Sequence, residues 1–475
     1  MTIPMNPIFE KEIRTRLRGA RAFQLLFAYV LAQVLIIGGL VWMSAAFGTE
    51  VPLGEIGKSF WALTFWMQLG LVTVITPGLT SGLLVAEREQ QTLDTILLTG
   101  LKPTHIVVGK LFSIALFIIW LLVGSLPVTA IVFLTGGVPP SEILLAYVLL
   151  TFSAMVYGSI GIASSAVAKS QGKATLLAYT SAMALFIVTS IAAVPAIGGI
   201  YSEARHTAYF TAINALGAPG ATTFNEMYFG INVPAWLVSG VINSSLTVIF
   251  TLLAAYHLSG CQPCFAIALR RTIYGMFVAF AALLGGANQL HIEYIQLFAF
   301  IAPLTLVATF GTGSSANASA PGSIWKRVFY GHDAASGRLF AFFTYTVGAI
   351  VIFGATAAFR VWTQTDELQP FTTRAVGQLL VSGLVNTAAL TGVAALGMRL
   401  VPGRWAALGF TLLGWATPMF LLGICTAFLQ SSSSSALGFI AQTTVFDYSQ
   451  SPNTSHWIVT AVAGAGCWII ARWKR

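Results

Sequence analysis

Residues 111–136 have the sequence LFSIALFIIWLLVGSLPVTAIVFLTG, a long apolar run without one charged side chain. An α-helix needs about 20 apolar residues to cross the roughly 30 Å hydrocarbon core of a bilayer. The rest of the chain has the same character: 56% of its residues are hydrophobic, 8% are charged, and the mean hydropathy is +0.82. Soluble globular domains carry about 25% charged residues. The chain is therefore predicted to be an all-α, polytopic membrane protein.

Further apolar runs on both sides of this stretch bring the predicted number of transmembrane helices to about twelve. Two of them, 272–290 and 294–312, are short and are separated by polar residues. If that pair forms a re-entrant hairpin, the number falls to ten. The predicted spans are 22–47, 60–86, 111–136, 143–168, 175–200, 233–259, 272–290, 294–312, 339–359, 375–397, 405–427 and 456–471.

The distribution of basic residues predicts the orientation of these spans, because Lys and Arg are retained on the cytoplasmic side. Of the 24 basic residues, all but four fall in the same alternate set of loops, which includes both termini. The exceptions are Lys58, Arg205, Arg360 and Arg374. Both termini are therefore predicted to be cytoplasmic. Topology also explains the net charge of +9, so that charge gives no reason to expect nucleic-acid binding.

Several function classes leave no trace in the sequence. Every carboxylate falls in a predicted loop or at a span end, whereas ion-coupled transporters usually need a titratable group near the midplane. The sequence contains no catalytic motif, no nucleotide-binding loop and no metal-ligand cluster beyond one weak CxxC at Cys261 and Cys264. We therefore expect neither enzymatic activity nor a bound metal or cofactor in this chain. Any ATP-driven activity would need a separate polypeptide.

The segment EREQQTLDTILLTGLKP, residues 87–103, concentrates charge between the second and third spans. An apolar repeat with helical spacing runs through it from Leu93 to Leu101. We expect a short amphipathic helix on the cytoplasmic surface, with its acidic side chains at the N-terminal end, where the helix dipole favours them. Gly100 suits a left-handed helix end, and Pro103 suits the first turn of the next helix.

The first 21 residues combine basic charge with a second apolar repeat. Phe9, Ile13 and Leu17 recur every four residues among Lys and Arg side chains. Residues 1–21 are therefore predicted to contain a helix that lies along the inner headgroup layer. The alternative is a basic tail that only fixes the topology.

Two motifs resemble those of ABC-2 type transporter permeases. One is ERE at the inner end of the second span, followed by TLD, a threonine-ended leucine run, L-x-P, and GK at the next span. The other is NPIFEKEIRTRLR near the N-terminus, which is similar to the start of that family's chains. The clear match covers residues 6 to about 135. Gln91 stands where a glycine is common, Gly100 where proline is common, and LKPTH where LSPxE is common.

The resemblance implies a permease subunit of an exporter in the inner (plasma) membrane of a bacterium. A cytoplasmic ABC ATPase dimer would bind ATP and Mg²⁺ and supply the energy, and the lipid bilayer would be the other partner. The resemblance places the docking site of the ATPase on the elbow, residues 87–110, and on the N-terminal helix. The docking residues that it implies are Glu87, Arg88, Glu89, Thr92, Asp94, Leu101 and Lys102.

The resemblance also implies a long outer segment between the fifth and sixth spans, and residues 201–232 fit it. Aromatic side chains in this segment are candidates for an outer gate, and simple anchoring in the aromatic belt of the membrane is the alternative. The gate candidates are Tyr209, Phe210, Phe224 and Tyr228.

The predicted organisation is an N-terminal helix (1–21), an ABC-2-like six-helix domain (22–259) and a second six-helix region (260–475). The second region has a similar cadence of span pairs and is expected to be a degenerate permease half. If it is not, a second permease chain would complete the translocation path. Two alternative functions stay open: a membrane scaffold that recruits an ATPase without passing substrate, and an ion-coupled secondary transporter.

Overall fold

The computed structural model describes residues 7–17, 20–46, 53–135, 138–198, 225–260, 262–286, 324–331, 334–363 and 373–400, and four single residues between 298 and 307. They form two compact units, Met1–Thr272 and Ile273–Arg475. The helices are α1 (Pro7–Leu17), α2 (Ala20–Ala46), α3 (Leu53–Ser81), α4 (Leu83–Glu89), α5 (Leu93–Leu98), α6 (Pro103–Gly124), α7 (Leu126–Thr135), α8 (Pro140–Val167), α9 (Gln171–Gly198), α10 (Ala235–Leu258), α11 (Pro263–Gly285), α12 (Ile324–Tyr330), α13 (Ala334–Thr363) and α14 (Thr373–Leu400).

The first unit is a helix bundle built around α8. Every residue of α8 from Val156 to Ala166 is buried, and α3, α6, α9 and α10 pack against this helix. Small residues let neighbouring helices approach closely inside a membrane. Gly161 has this role, because a side chain there would overlap Thr80 of α3. A side chain at Gly158 would contact Leu111 of α6 and Thr76 of α3 without such an overlap. The central position of α8 follows from its apolar and small residues, which cover all its faces.

The second predicted span is interrupted at Gly82. Pro77 lies inside α3, the helix breaks after Ser81, and the chain resumes as α4. Proline removes one backbone donor from the helix. The amides of Leu84 and Val85, at the start of α4, donate to Ser165 Oγ on α8 at 2.9 and 3.1 Å. Ser165 thereby satisfies donors that the broken helix leaves without an intrahelical partner.

The second unit contains helices α12, α13 and α14, of which α13 packs against the other two. Three half-buried aromatic side chains, from α11, α12 and α13, contact one another in this unit. Tyr274 stacks on Phe343 with ring centroids 5.8 Å apart, and Phe329 meets both rings edge-on at 5.5 and 5.9 Å. Edge-on and offset-stacked arrangements are the geometries that aromatic pairs prefer.

The prediction of a multi-pass α-helical membrane protein is confirmed. Seven helices in the described ranges are long and apolar enough to cross a membrane, and α2 contains the shorter apolar stretch Ala22–Ile36. The helix α11 begins at Pro263, earlier than the predicted start at 272. Spans 405–427 and 456–471 and nearly all of 294–312 lie outside the described residues, so the total of twelve or ten stays a prediction, as does the orientation.

One small sheet departs from a purely helical fold in the described residues. Strands β1 (Asn225–Tyr228) and β2 (Ile231–Pro234) pair as an antiparallel hairpin at the end of the predicted outer segment. Its two turn residues, Phe229 and Gly230, both have positive φ, 52° and 77°. Two such residues are typical of a tight type I′ hairpin turn.

Candidate functional site

The elbow between the second and third predicted spans begins at the C-terminal end of α4, which a left-handed residue closes. Helix α4 runs to Glu89, and Gln91 then adopts φ 57°. The amide of Thr92 donates to the Glu87 carbonyl at 2.9 Å and that of Gln91 to the Arg88 carbonyl at 3.1 Å. This is the Schellman arrangement, in which a left-handed residue closes a helix. Gln91 therefore occupies a position that favours glycine.

The expected single amphipathic helix starting at the acidic residues is wrong in one respect. Glu87 and Glu89 lie at the C-terminal end of α4, where the helix dipole does not favour a carboxylate. Only Asp94 lies in the first turn of α5. The expected helix ends agree with the structure: Gly100 has φ 76°, and Pro103 is in the first turn of α6 after an extended Lys102.

The apolar side of α5 packs onto the bundle as its spacing predicts. Leu93 is buried, and Ile96, Leu97 and Leu101 are half-buried against a cluster of side chains from α4, α6, α8 and α10. Leu98 is the exception, since 87% of it is exposed; together with the exposed Asp94 and Lys102 it is called the tip of the elbow below.

A buried lysine joins the elbow to the N-terminal helix. Lys110 Nζ, on α6, lies 2.7 Å from Glu87 Oε1 on α4 and 2.9 Å from Glu12 Oε1 on α1. The side chain of Lys110 is 1% exposed, and those of Glu12 and Glu87 are 15% and 13% exposed. Charges this poorly hydrated are tolerated only when they are paired. The three residues, called the ion cluster below, therefore hold α1, α4 and α6 together.

Arg16 extends the ion cluster along α1. Its Nε lies 3.8 Å from Glu12 Oε2. Burial lowers the pKa of Arg16 below its ordinary value, and the negative charge of Glu12 opposes that shift. An arginine remains a cation at neutral pH despite such a shift, so two cations balance the two carboxylates.

Arg88 and Glu89 connect the elbow to the turn between α8 and α9. The guanidinium of Arg88 donates to the carbonyls of Ala168 and Ala166 at 2.8 and 3.3 Å, which caps the end of α8 with a positive charge. Glu89 Oε1 accepts from the amide of Gln171 at the start of α9, at 3.3 Å. One turn of α4 therefore contacts both ends of the connection between the fourth and fifth predicted spans.

The residues that the resemblance placed at the docking site thus divide into two groups. Glu87 and Arg88 are engaged inside the bundle, and Leu101 is half-buried. The other predicted residues are exposed on the elbow: Glu89, Thr92, Asp94 and Lys102.

The N-terminal helix α1 packs against α6 beside the elbow. Phe9 and Ile13 are both half-buried, and Ile8 reaches the apolar cluster under α5. The helical state of Leu17 agrees with the prediction, and its side chain lies outside the described residues, as do the gate candidates Tyr209, Phe210 and Phe224. The fourth gate candidate, Tyr228, ends β1 and is buried.

Glu12 and Lys110 are site residues that the sequence patterns did not predict. A signal for Lys110 exists, because it is an isolated lysine next to the apolar run that begins at Leu111. A cation in such a position requires a counter-ion, but the sequence alone could not identify Glu12, which lies 98 positions away.

In the part of the chain that the structure describes, no group of three or more His, Cys, Asp or Glu side chains could hold a metal ion. No protein-family model, no curated protein and no solved structure matches the chain.

Gln91→Gly is expected to stabilise the protein by about 0.5–1 kcal/mol. An L-residue in the left-handed conformation costs roughly 1–2 kcal/mol, and the added freedom of glycine in the unfolded chain offsets part of the gain. The measurement is SDS-mediated unfolding of the purified chain in mixed micelles. Gln90→Gly is the matched control. Gln90 has φ −81°, so glycine relieves no strain there and is expected only to lower the stability of the protein. Equal losses in the two variants would contradict the assignment of strain to Gln91.

Proposed function

We propose that this chain is the membrane subunit of an ABC-2 type exporter in a bacterial inner membrane, energised by a separate ATPase dimer that binds ATP and Mg²⁺. The observation that carries the proposal is the ion cluster of Glu12, Lys110 and Glu87. It fixes the elbow and α1, the two segments that the family resemblance assigns to ATPase docking, onto the start of α6.

The tip of the elbow has the chemistry of a small docking surface. Leu98 is an exposed leucine on the predicted cytoplasmic side, with Asp94 and Lys102 exposed near it along the chain. A central apolar side chain with charged neighbours is typical of protein–protein contacts, in which the charges help to orient the partner. In the proposed complex the ATPase encloses Leu98 and pairs with the two charges.

The contacts beneath the tip provide a route for mechanical coupling. When the ATPase closes on ATP, its displacement of α5 acts on α4 and α6 through the apolar cluster and through Glu87 and Lys110. Arg88 carries the same displacement to the end of α8 through its two carbonyl contacts. Rigid elements linked by buried ion pairs move together more readily than elements that are joined by solvated loops.

The test is co-purification of an ATPase with the full-length chain from its native membranes. Asp94→Ala combined with Leu98→Ala is expected to reduce recovery of the ATPase, and its Mg²⁺-dependent ATP hydrolysis, at least tenfold. That factor corresponds to about 1.4 kcal/mol of binding free energy. Leu144→Ala is the control, since Leu144 is a similarly exposed leucine (67%) near the predicted outer end of α8.

Two results would contradict the proposal. One is that no ATPase with a nucleotide-binding loop co-purifies with the wild-type chain. The other is that the double variant recovers as much ATPase as Leu144→Ala does, which would exclude the tip of the elbow as the docking surface. Substrate-dependent flux driven by a proton or sodium gradient without any ATPase would favour a secondary transporter instead.

A further inference from the structure

A cluster of uncharged polar side chains lies inside the first unit, between the middle and the outer side of the predicted spans. Gln68 of α3 is at its centre, and its Nε2 donates to Ser125 Oγ at 3.1 Å and to Tyr147 Oη at 2.9 Å. The hydroxyls of Ser125 and Thr129 both lie 3.0 Å from Tyr147 Oη. The cluster thus joins α3, the break between α6 and α7, and α8.

Helix α2 adds a second amide to the same cluster. Gln33 Nε2 donates to Tyr29 Oη at 2.8 Å, and the Tyr29 hydroxyl lies near the side chains of Ser125 and Gln68. Gln33 is fully buried and Tyr29 is nearly so. The opposite face of α2 exposes large apolar side chains, among them Phe27, Leu31 and Leu35. One helix therefore separates the cluster from the lipid.

Four polar atoms in this region have no hydrogen-bond partner among the described residues: Gln68 Oε1, Gln33 Oε1, Thr64 Oγ1 and Trp61 Nε1. Their side chains are at most 1% exposed. Flipping either glutamine amide, so that its O and N exchange places, does not solve this. One of the two amide atoms still lacks a hydrogen-bond partner. Such atoms cost free energy, and the hydrocarbon core of a membrane offers no water to satisfy them.

The spacing of three of these residues defines the shape of a missing partner. Trp61, Thr64 and Gln68 follow each other at intervals of three and four, so they share one face of α3 over about 10 Å. A single buried water bonds to two to four groups at one point, so satisfying this row takes several separate waters or one molecule with several hydroxyl groups. Because the cluster contains donors and acceptors but no charge, the ligand it fits is neutral.

We propose that this cluster is a closed binding site for the neutral, hydroxyl-bearing head group of a lipid. The head group reaches the site from the bilayer when α2 moves aside, and its hydroxyls donate to the two glutamine amides, bond to the Thr64 hydroxyl and accept from Trp61 Nε1. The acyl chain stays against the exposed apolar face of α2. This site does not depend on the docking of an ATPase and stands if that proposed function fails.

The test uses 1-monooleoylglycerol as the probe and the full-length chain in phosphatidylcholine nanodiscs. Methyl oleate has the same chain without hydroxyls, and free glycerol has the hydroxyls without the chain. We expect 1-monooleoylglycerol to raise the thermal unfolding midpoint, and the other two compounds to have little effect. An equal shift with methyl oleate would overturn the proposal, and a full shift with glycerol alone would overturn the lipid as the source of the head group.

Thr64→Val tests the site itself, because valine keeps the shape of threonine and removes only an unpartnered hydroxyl. The ligand-free variant should unfold at or above the wild-type midpoint, and the concentration of 1-monooleoylglycerol for half the shift should rise about three- to tenfold. Thr344→Val is the matched control, since Thr344 of α13 also has a buried, unpartnered hydroxyl. Identical responses of the two variants would mean that water alone hydrates the cluster, and the proposal would be wrong.

Discussion

Lys110→Met is expected to lower the free energy of unfolding by about 3 kcal/mol, the low end of the cost of breaking a buried ion pair. Methionine matches the length of the lysine stem but removes the charge that Glu12 and Glu87 share. Both carboxylates are more than four-fifths buried, so they cannot regain full hydration without separating α1 and α4 from α6. The low end applies because each carboxylate keeps some contact with solvent. SDS-mediated unfolding in mixed micelles measures the loss.

Two control variants distinguish a lost ion pair from lost packing. Lys102→Met removes an exposed lysine of the same elbow and should change stability by less than about 0.5 kcal/mol. The triple variant Glu12→Gln, Lys110→Met, Glu87→Gln replaces the whole ion cluster by neutral groups and should recover at least half of the loss. If Lys110→Met alone were as stable as the wild type, the ion cluster would not hold the elbow to α1 and α6.

The sequence predicted the elements of the elbow better than their connections. Glycine and proline carry local backbone preferences, so Gly100 and Pro103 identified helix ends correctly. The apolar repeat from Leu93 to Leu101 likewise identified the packed side of α5. The acidic residues were misplaced, because charge alone does not distinguish the end of one helix from the start of the next. In the structure, the left-handed conformation of Gln91 separates the end of α4 from the start of α5. The sequence does not predict that conformation, because glutamine rarely adopts it.

The long-range contacts lay beyond sequence patterns altogether. Glu12 pairs with Lys110, and Ser165 accepts from the amides at the start of α4, across many intervening residues. Such partners are set by how helices pack, and nothing in the spacing of either segment encodes the other. The same holds for the buried amides of Gln33 and Gln68. In the sequence they are only isolated polar residues within apolar spans, and their partners cannot be predicted from it.

Gly161→Ala is expected to destabilise the protein by about 2 kcal/mol. A methyl group at Gly161 would overlap the Thr80 hydroxyl and lie 2.8 Å from Thr80 Cβ and 3.1 Å from the Pro77 carbonyl oxygen. Overpacking of this kind costs up to about 3 kcal/mol, and the higher helix propensity of alanine returns about 1 kcal/mol. The same unfolding assay in mixed micelles measures the difference.

The neighbouring glycine on α8 provides the comparison that isolates this contact. A methyl group at Gly158 would meet the flexible end of Leu111 at 3.1 Å and Thr76 Cγ2 at 3.4 Å, so Gly158→Ala should be close to neutral. Adding Thr80→Ala to Gly161→Ala should recover part of the loss, because it removes the overlapping hydroxyl but leaves the Cβ of residue 80 and the Pro77 carbonyl in place. Equal losses at both glycines would mean that α3 does not approach α8 most closely at Thr80, just before the break between α3 and α4.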